Sequence, residues 1–129
     1  MKSKKGFTVL EIVIVSVFAS LLLILFFVQK ANIDAMKRDE DRKTAINAMY
    51  YALEESFYKE HHYYPESISE ENIKVIDPAL WTDPLGYNLD DPNGSYFYQP
   101  ANCKEGKCKE YTLKANLEKE NTYIKSNRN

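Results

Sequence analysis

The residue most able to do chemistry in this chain is a carboxylate, Glu11, the one charged side chain in the apolar run Phe7–Val28. The run is twenty-two residues long, enough to cross a hydrocarbon core of about 30 Å as a helix. A carboxylate inside such a span costs on the order of 2.5–3.5 kcal/mol on insertion scales, so it calls for a partner and a role. Thr8 and Ser16 are the other polar side chains ahead of Ser20, and neither carries a charge that neutralises it. Glu11 therefore offers electrostatic chemistry: a buried anion that selects a cation from elsewhere.

Other candidate groups are weaker. Cys103 and Cys108 bracket Lys-Glu-Gly-Lys, a spacing that suits a tight hairpin closed by a disulfide. Free thiols and a zinc site are the alternatives, and two thiolates without a nearby His or second Cys pair make a poor metal set. His61-His62 are adjacent and no further His exists. They read as surface histidines at a helix C-terminus, where a cation is favoured. Asp83, Asp90 and Asp91, with Asn88 and Asn93, offer oxygen ligands for calcium, but turn formation explains the same residues. Ser56 near Glu60 and His61 has no orienting third group, and there is no Gly-rich phosphate loop. We therefore expect no enzyme, no cofactor and no metal. Asn93-Gly94-Ser95 fits a glycosylation sequon. Ten tyrosines read as packing aromatics.

The elements that position Glu11 begin with its leader. Lys2, Lys4 and Lys5 precede the apolar run, the positive flank of a cytoplasmic end. Val17-Phe18-Ala19-Ser20 imitates a secretory cleavage site, but the run continues to Val28, the wrong flank for one. A plain signal anchor fits the length and leaves Glu11 unexplained. The octet Lys4-Lys5-Gly6-Phe7-Thr8-Val9-Leu10-Glu11 closely resembles the class III signal of type IV pilins and type II secretion pseudopilins. That resemblance implies cleavage between Gly6 and Phe7, N-methylation of Phe7, and assembly through Glu11. A membrane-embedded prepilin peptidase/methyltransferase, an inner-membrane assembly platform and membrane lipid before assembly are the partners it implies. The product is a homo- or hetero-polymeric filament. The new Phe7 ammonium of a neighbouring subunit is then the cation Glu11 needs, and a subunit docked at the wrong height leaves Glu11 unpaired.

Past Val28 the helical pattern continues, with no Gly or Pro until Pro65. Ile33 and Met36, then Ile46, Met49, Leu53 and Phe57, form an apolar stripe, and Ala45, Ala48 and Ala52 allow a sheet to approach. The run Lys37–Lys43 alternates in sign and reads as a solvated face with pairs such as Asp39–Lys43. Tyr64 before Pro65 ends the helix near His61–Tyr63, giving a helix on the order of 80 Å at 1.5 Å per residue. Pro65–Pro92 is loop-like, with Ile68, Ile73, Val75, Ile76, Leu80 and Trp81 as lids. Strands are expected at Ser95–Gln99, Glu110–Leu117 and Asn121–Lys125, the second with Tyr111, Leu113, Ala115 and Leu117 inward. The tail Ser126–Asn129 should fray.

The expectation is an α+β pilin fold: a long N-terminal helix on a small antiparallel sheet of about three strands. Its parts are a leader at 1–6, a membrane and filament-core helix at 7–28, an amphipathic continuation at 29–62 and a head at 63–129. Tyr64-Pro65, Asp83-Pro84-Leu85-Gly86-Tyr87 and Tyr96-Phe97-Tyr98 look like the major pseudopilin and its pilin relatives. The calcium loop typical of the major pseudopilin is rich in Gly and Asp, whereas residues 109–129 contain neither. No proline stands at the outer end of the membrane helix, where pilins commonly carry one. The resemblance implies a single-pass cytoplasmic membrane protein with its head outside the cytoplasm, later an extracellular pilus or envelope filament. A type II secretion pseudopilin and a monomeric signal-anchored binding or sensory protein are the alternatives. Formal net charge is −2 and falls by three to −5 without the leader lysines. That acidic, unclustered balance argues against nucleic-acid binding.

Overall fold

A computed structural model describes residues 6–129, and the leader residues Met1–Lys5 lie outside the described residues. Helix α1 runs over Val9–Tyr51, continues as a π-helical segment at Ala52–Phe57 and closes as α2 at Tyr58–His61. Strands β1 (Tyr64–Pro65), β2 (Tyr96–Lys104), β3 (Lys107–Ala115) and β4 (Tyr123–Ser126) follow, with a 3₁₀ turn at Pro78–Trp81. The chain divides into two units, one ending at Asp34 and the other Ala35–Asn129.

In the first unit the helix is long and apolar enough to cross a membrane, and no residue of the apolar stretch is buried. Its two serines need no external partner: Ser16 Oγ donates to the Val13 carbonyl at 2.8 Å and Ser20 Oγ to that of Ser16 at 2.8 Å. Such back-bonding satisfies hydroxyls where water is absent.

In the second unit the fold is α+β, with the helix from Ala35 onward packed on one antiparallel sheet of four strands. The expected three strands are there, and a short fourth, β1, pairs Tyr64 with Cys108 and Pro65 with Lys107. β2 and β3 form a hairpin from Tyr96↔Ala115 to Lys104↔Lys107, longer than the sequence suggested. Gly106 takes the turn at φ +77°, where only glycine is unstrained. Cys103 and Cys108 face each other across this hairpin and are disulfide-bonded. β4 adds to the far side of β3, from Thr112↔Ser126 to Ala115↔Tyr123.

The buried stripe on the helix is Ala35, Asp39, Arg42, Ile46, Met49 and Leu53, at spacings of four and three. Ile33 and Met36, expected in that stripe, are exposed instead. The charged run 37–43 is thus not simply a solvated face. Asp39 and Arg42 are buried, and Asp39 pairs with Arg42 at 3.0 Å rather than with Lys43. Asp39 also accepts from the backbone N–H of Glu118 and of Lys119, both at 2.8 Å. Arg38 grips Glu118 with two bonds of 2.7 Å, and Lys43 holds Glu120. These charges clamp the segment after β3 to the helix, and burial is tolerated because each ion is paired.

A second clamp explains the π-helical segment. Ala52, Leu53 and Glu54 are all buried, three in a row, which a regular helix face does not allow but a wider π turn does. Glu54 accepts from Tyr111 OH at 2.8 Å, Tyr64 OH at 3.1 Å, the Arg128 N–H at 3.2 Å and Asn129 Nδ2 at 3.1 Å. Arg128 also pairs with Glu55, and Asn127 Oδ1 accepts from Tyr111 N. The segment 126–129, expected to fray, is held down by these bonds. Ile68, Ile73, Ile76 and Trp81 cap the core as expected, while Val75 points to solvent.

Acid should loosen this head. Burial pushes the Asp39 carboxyl up, but the Glu118 and Lys119 amides and Arg42 outweigh it and hold it below its ordinary 3.8. The hydrogen-bonded Arg38 guanidinium holds Glu118 down to about 2 from its ordinary 4.5. Groups depressed in the fold stabilise it fully above their unfolded values and lose that contribution as pH falls through the folded ones. Denaturant unfolding of the full chain in micelles should thus show stability constant from neutrality to about pH 4.5 and falling toward about 2. Glu118→Gln should flatten part of that fall.

Candidate functional site

The site is the first turn of α1. Gly6, Phe7 and Thr8 lie outside regular structure, all three exposed, and the helix starts at Val9. Thr8 is the N-cap: its carbonyl accepts from the Ile12 N–H at 3.2 Å, and its hydroxyl oxygen accepts from the Glu11 N–H at 3.3 Å. Glu11 Oε2 returns the contact, accepting from the Thr8 N–H at 2.8 Å and the Thr8 hydroxyl at 3.0 Å. The pair is a reciprocal capping box, with Glu11 at the third helical position. Its signal, Thr-x-x-Glu ahead of an apolar run, is plain in Thr8–Glu11. In the sequence Thr8 reads as part of the leader motif and as a group that cannot neutralise Glu11, not as a cap.

Both of these bonds land on Oε2, so among the described residues Oε1 has no hydrogen-bond partner. The cap supplies dipoles and the positive end of the helix but no compensating charge. Phe7 is 80% exposed, and Val9, Leu10 and Ile12 are also exposed, so nothing among the described residues covers the carboxylate. Gly6 is uncrowded, with nothing near where a Cβ would stand. The fold therefore does not require a glycine there.

The remaining sequence candidates sit in the other unit. Cys103 and Cys108 are joined. Asp83 Oδ1 accepts from the N–H groups of Leu85 and Tyr87, Asp91 Oδ1 from that of Asn93, and Asp90 Oδ1 from that of Tyr98. Asn88 Oδ1 accepts from Thr82 Oγ1. These side chains organise turns, and no group of three or more His, Cys, Asp or Glu is placed to hold a metal ion among the described residues. His62 caps the helix in the left-handed conformation at φ +61°, and His61 stacks on Phe57 at 4.2 Å between ring centres. Asp39, Arg42 and Glu54 were missed as buried charges. Extending the Ile46–Met49–Leu53 stripe backward by alternating steps of four and three lands on Arg42 and Asp39.

No protein-family model, curated protein or solved structure matches this chain.

The cap has a measurable consequence. Thr8→Val removes the hydroxyl that accepts the Glu11 N–H, at a cost of about 1 kcal/mol of local helix stability. Amide exchange in micelles should speed up about five-fold at Glu11 and stay unchanged beyond Ser20.

Proposed function

We propose that this chain is a structural subunit of a type IV pilus-like filament, cut between Gly6 and Phe7 and methylated at Phe7. In the assembled fibre the helix is held in register by Glu11 against the Phe7 ammonium of a neighbour. The observation that carries this reading is an uncovered apolar helix with a single carboxylate one turn from its start. Such a helix is covered by lipid before assembly and by its copies afterward. Once copies replace lipid, Glu11 sits in low dielectric, where an unpaired charge is expelled and a paired one is strongly coupled. Cleavage after Gly6 creates a cation at the neighbouring chain position, and among the described residues Oε1 has no other donor to accept from.

Three further features support the reading. The Gly6–Phe7 bond lies in an exposed, non-helical segment, where a peptidase can hold it extended. Glycine at position 6 answers no demand of the fold, which fits a residue read by an enzyme. The head is clamped to the outer part of the helix by ion pairs and side-chain hydrogen bonds, as a subunit carried on a spine requires. A type II secretion pseudopilin shares the leader and the helix. The disulfide-closed hairpin and the absence of Asp and Gly from residues 109–129 favour the pilus.

Mass spectrometry of the membrane fraction tests the processing step. The expected N-terminal peptide begins at Phe7 and carries one added methyl group. An intact leader through Gly6 would reject the proposal.

A further inference from the structure

The sheet unit segregates its charge. From Val75 to Cys103 the sequence holds Asp77, Asp83, Asp90 and Asp91 and no Lys, Arg or His. Lysines return at Lys104, Lys107 and Lys109, around the disulfide hairpin.

At the acidic face, Asp41 and Thr44 on α1 and Leu80, Thr82, Asp83 and Tyr96 line a cavity of about 430 Å³. Asp83 is 96% buried (4% exposed), and its Oδ2 has no hydrogen-bond partner. A buried anionic oxygen without a donor is costly and calls for one. Arg42 does not supply it: its Nη1 pairs with Asp39 and Glu118 at 3.0 Å each, and its Nε, also buried, makes no hydrogen bond to Asp83. Asp41, on the exposed rim, forms no ion pair among the described residues. Two carboxylates thus face one opening with no cation of their own.

At the basic face, Tyr58, His62, Tyr63, Lys104, Lys107 and Lys109 border an open cleft of about 1070 Å³ beside the disulfide, with Glu110 as the acid among its lining. Lys107 lies over the Tyr63 ring at 5.1 Å, and none of the three lysines has an ion-pair partner among the described residues. The faces lie far apart, since Tyr58 follows Asp41 by nearly five helical turns, about 25 Å. One molecule cannot join its own two faces.

We infer that the lysine-bearing hairpin of one copy docks into the Asp41/Asp83 cavity of a second copy, a head-to-tail contact between neighbours. Opposite charges on separate surfaces of one chain make a heterologous contact, which propagates as an open fibre unless its rotation closes a ring. A lysine is suited to the task, a compact charge with three donors on a flexible stem. The inference deepens the filament reading and rests on it, adding an outer contact to the one made by Glu11.

Two full-length chains, Asp41→Cys and Lys107→Cys, each with one cysteine added to the Cys103–Cys108 disulfide, are co-expressed and treated with a short bismaleimide. Asp41 and Lys107 are both exposed, so each variant should fold. A cross-linked Asp41→Cys/Lys107→Cys pair in filaments is expected, with yield falling several-fold when Lys104→Glu and Lys109→Glu are added to the second chain. Filaments that form without the unlike pair, or with only like-with-like pairs, overturn the contact and leave the filament reading standing. An unchanged yield after charge reversal overturns the charge argument. Absence of any filament from the unsubstituted chain rejects the filament reading instead, and the same cross-link on membranes then decides the head contact alone.

Discussion

One charge in an apolar helix sets the terms for this protein. Inside a membrane or a packed fibre a carboxylate at this position needs compensation, and among the described residues Glu11 receives only part of it. The Thr8 amide and hydroxyl give Oε2 two hydrogen bonds, while Oε1 and the net charge have no partner among the described residues. That is tolerable near a headgroup layer and intolerable inside a packed fibre unless a cation arrives. The capping box also has a positional effect: it fixes the carboxylate at the first turn, so a partner must come to a defined height.

Two clamps in the second unit apply the same rule with both partners built in. Asp39 and Arg42 are buried together against the Glu118 and Lys119 amides, and Glu54 is buried among two tyrosine hydroxyls and the Arg128 and Asn129 donors. Breaking such a pair typically costs about 3–5 kcal/mol, because the surviving group is left uncompensated. These two clamps sit about four turns apart on the helix and fasten the segments on either side of β4. Polar groups rather than extra apolar area complete the core, as a small unit with limited volume requires.

Much of the architecture was legible in the sequence. The long helix, its end near His61, the hairpin turn at Gly106, the inward Tyr111–Leu113–Ala115 alternation and the Cys103–Cys108 bridge all follow from period, breakers and spacing. The errors share one cause. Ile33 and Met36 were placed inside for being apolar, and Asp39 was placed outside for being charged, whereas the helical phase set by Ile46 and Met49 puts Asp39 in and the other two out. Strand β1 is two residues long, too short for a side-chain alternation to announce it. The hold on residues 127–129 depends on Glu54, some seventy positions away in sequence, which no local window connects.

For the first turn, the residue types gave the electrostatic problem and the geometry gave half of its local solution. The proposed other half is an intermolecular pair, and Glu11→Val tests it most directly. The variant is more apolar, so it should insert and be cut at least as well as the unsubstituted chain. If the carboxylate sets register, electron microscopy of cells expressing it should find no regular filaments. Filaments of normal number and regularity from Glu11→Val would contradict the account.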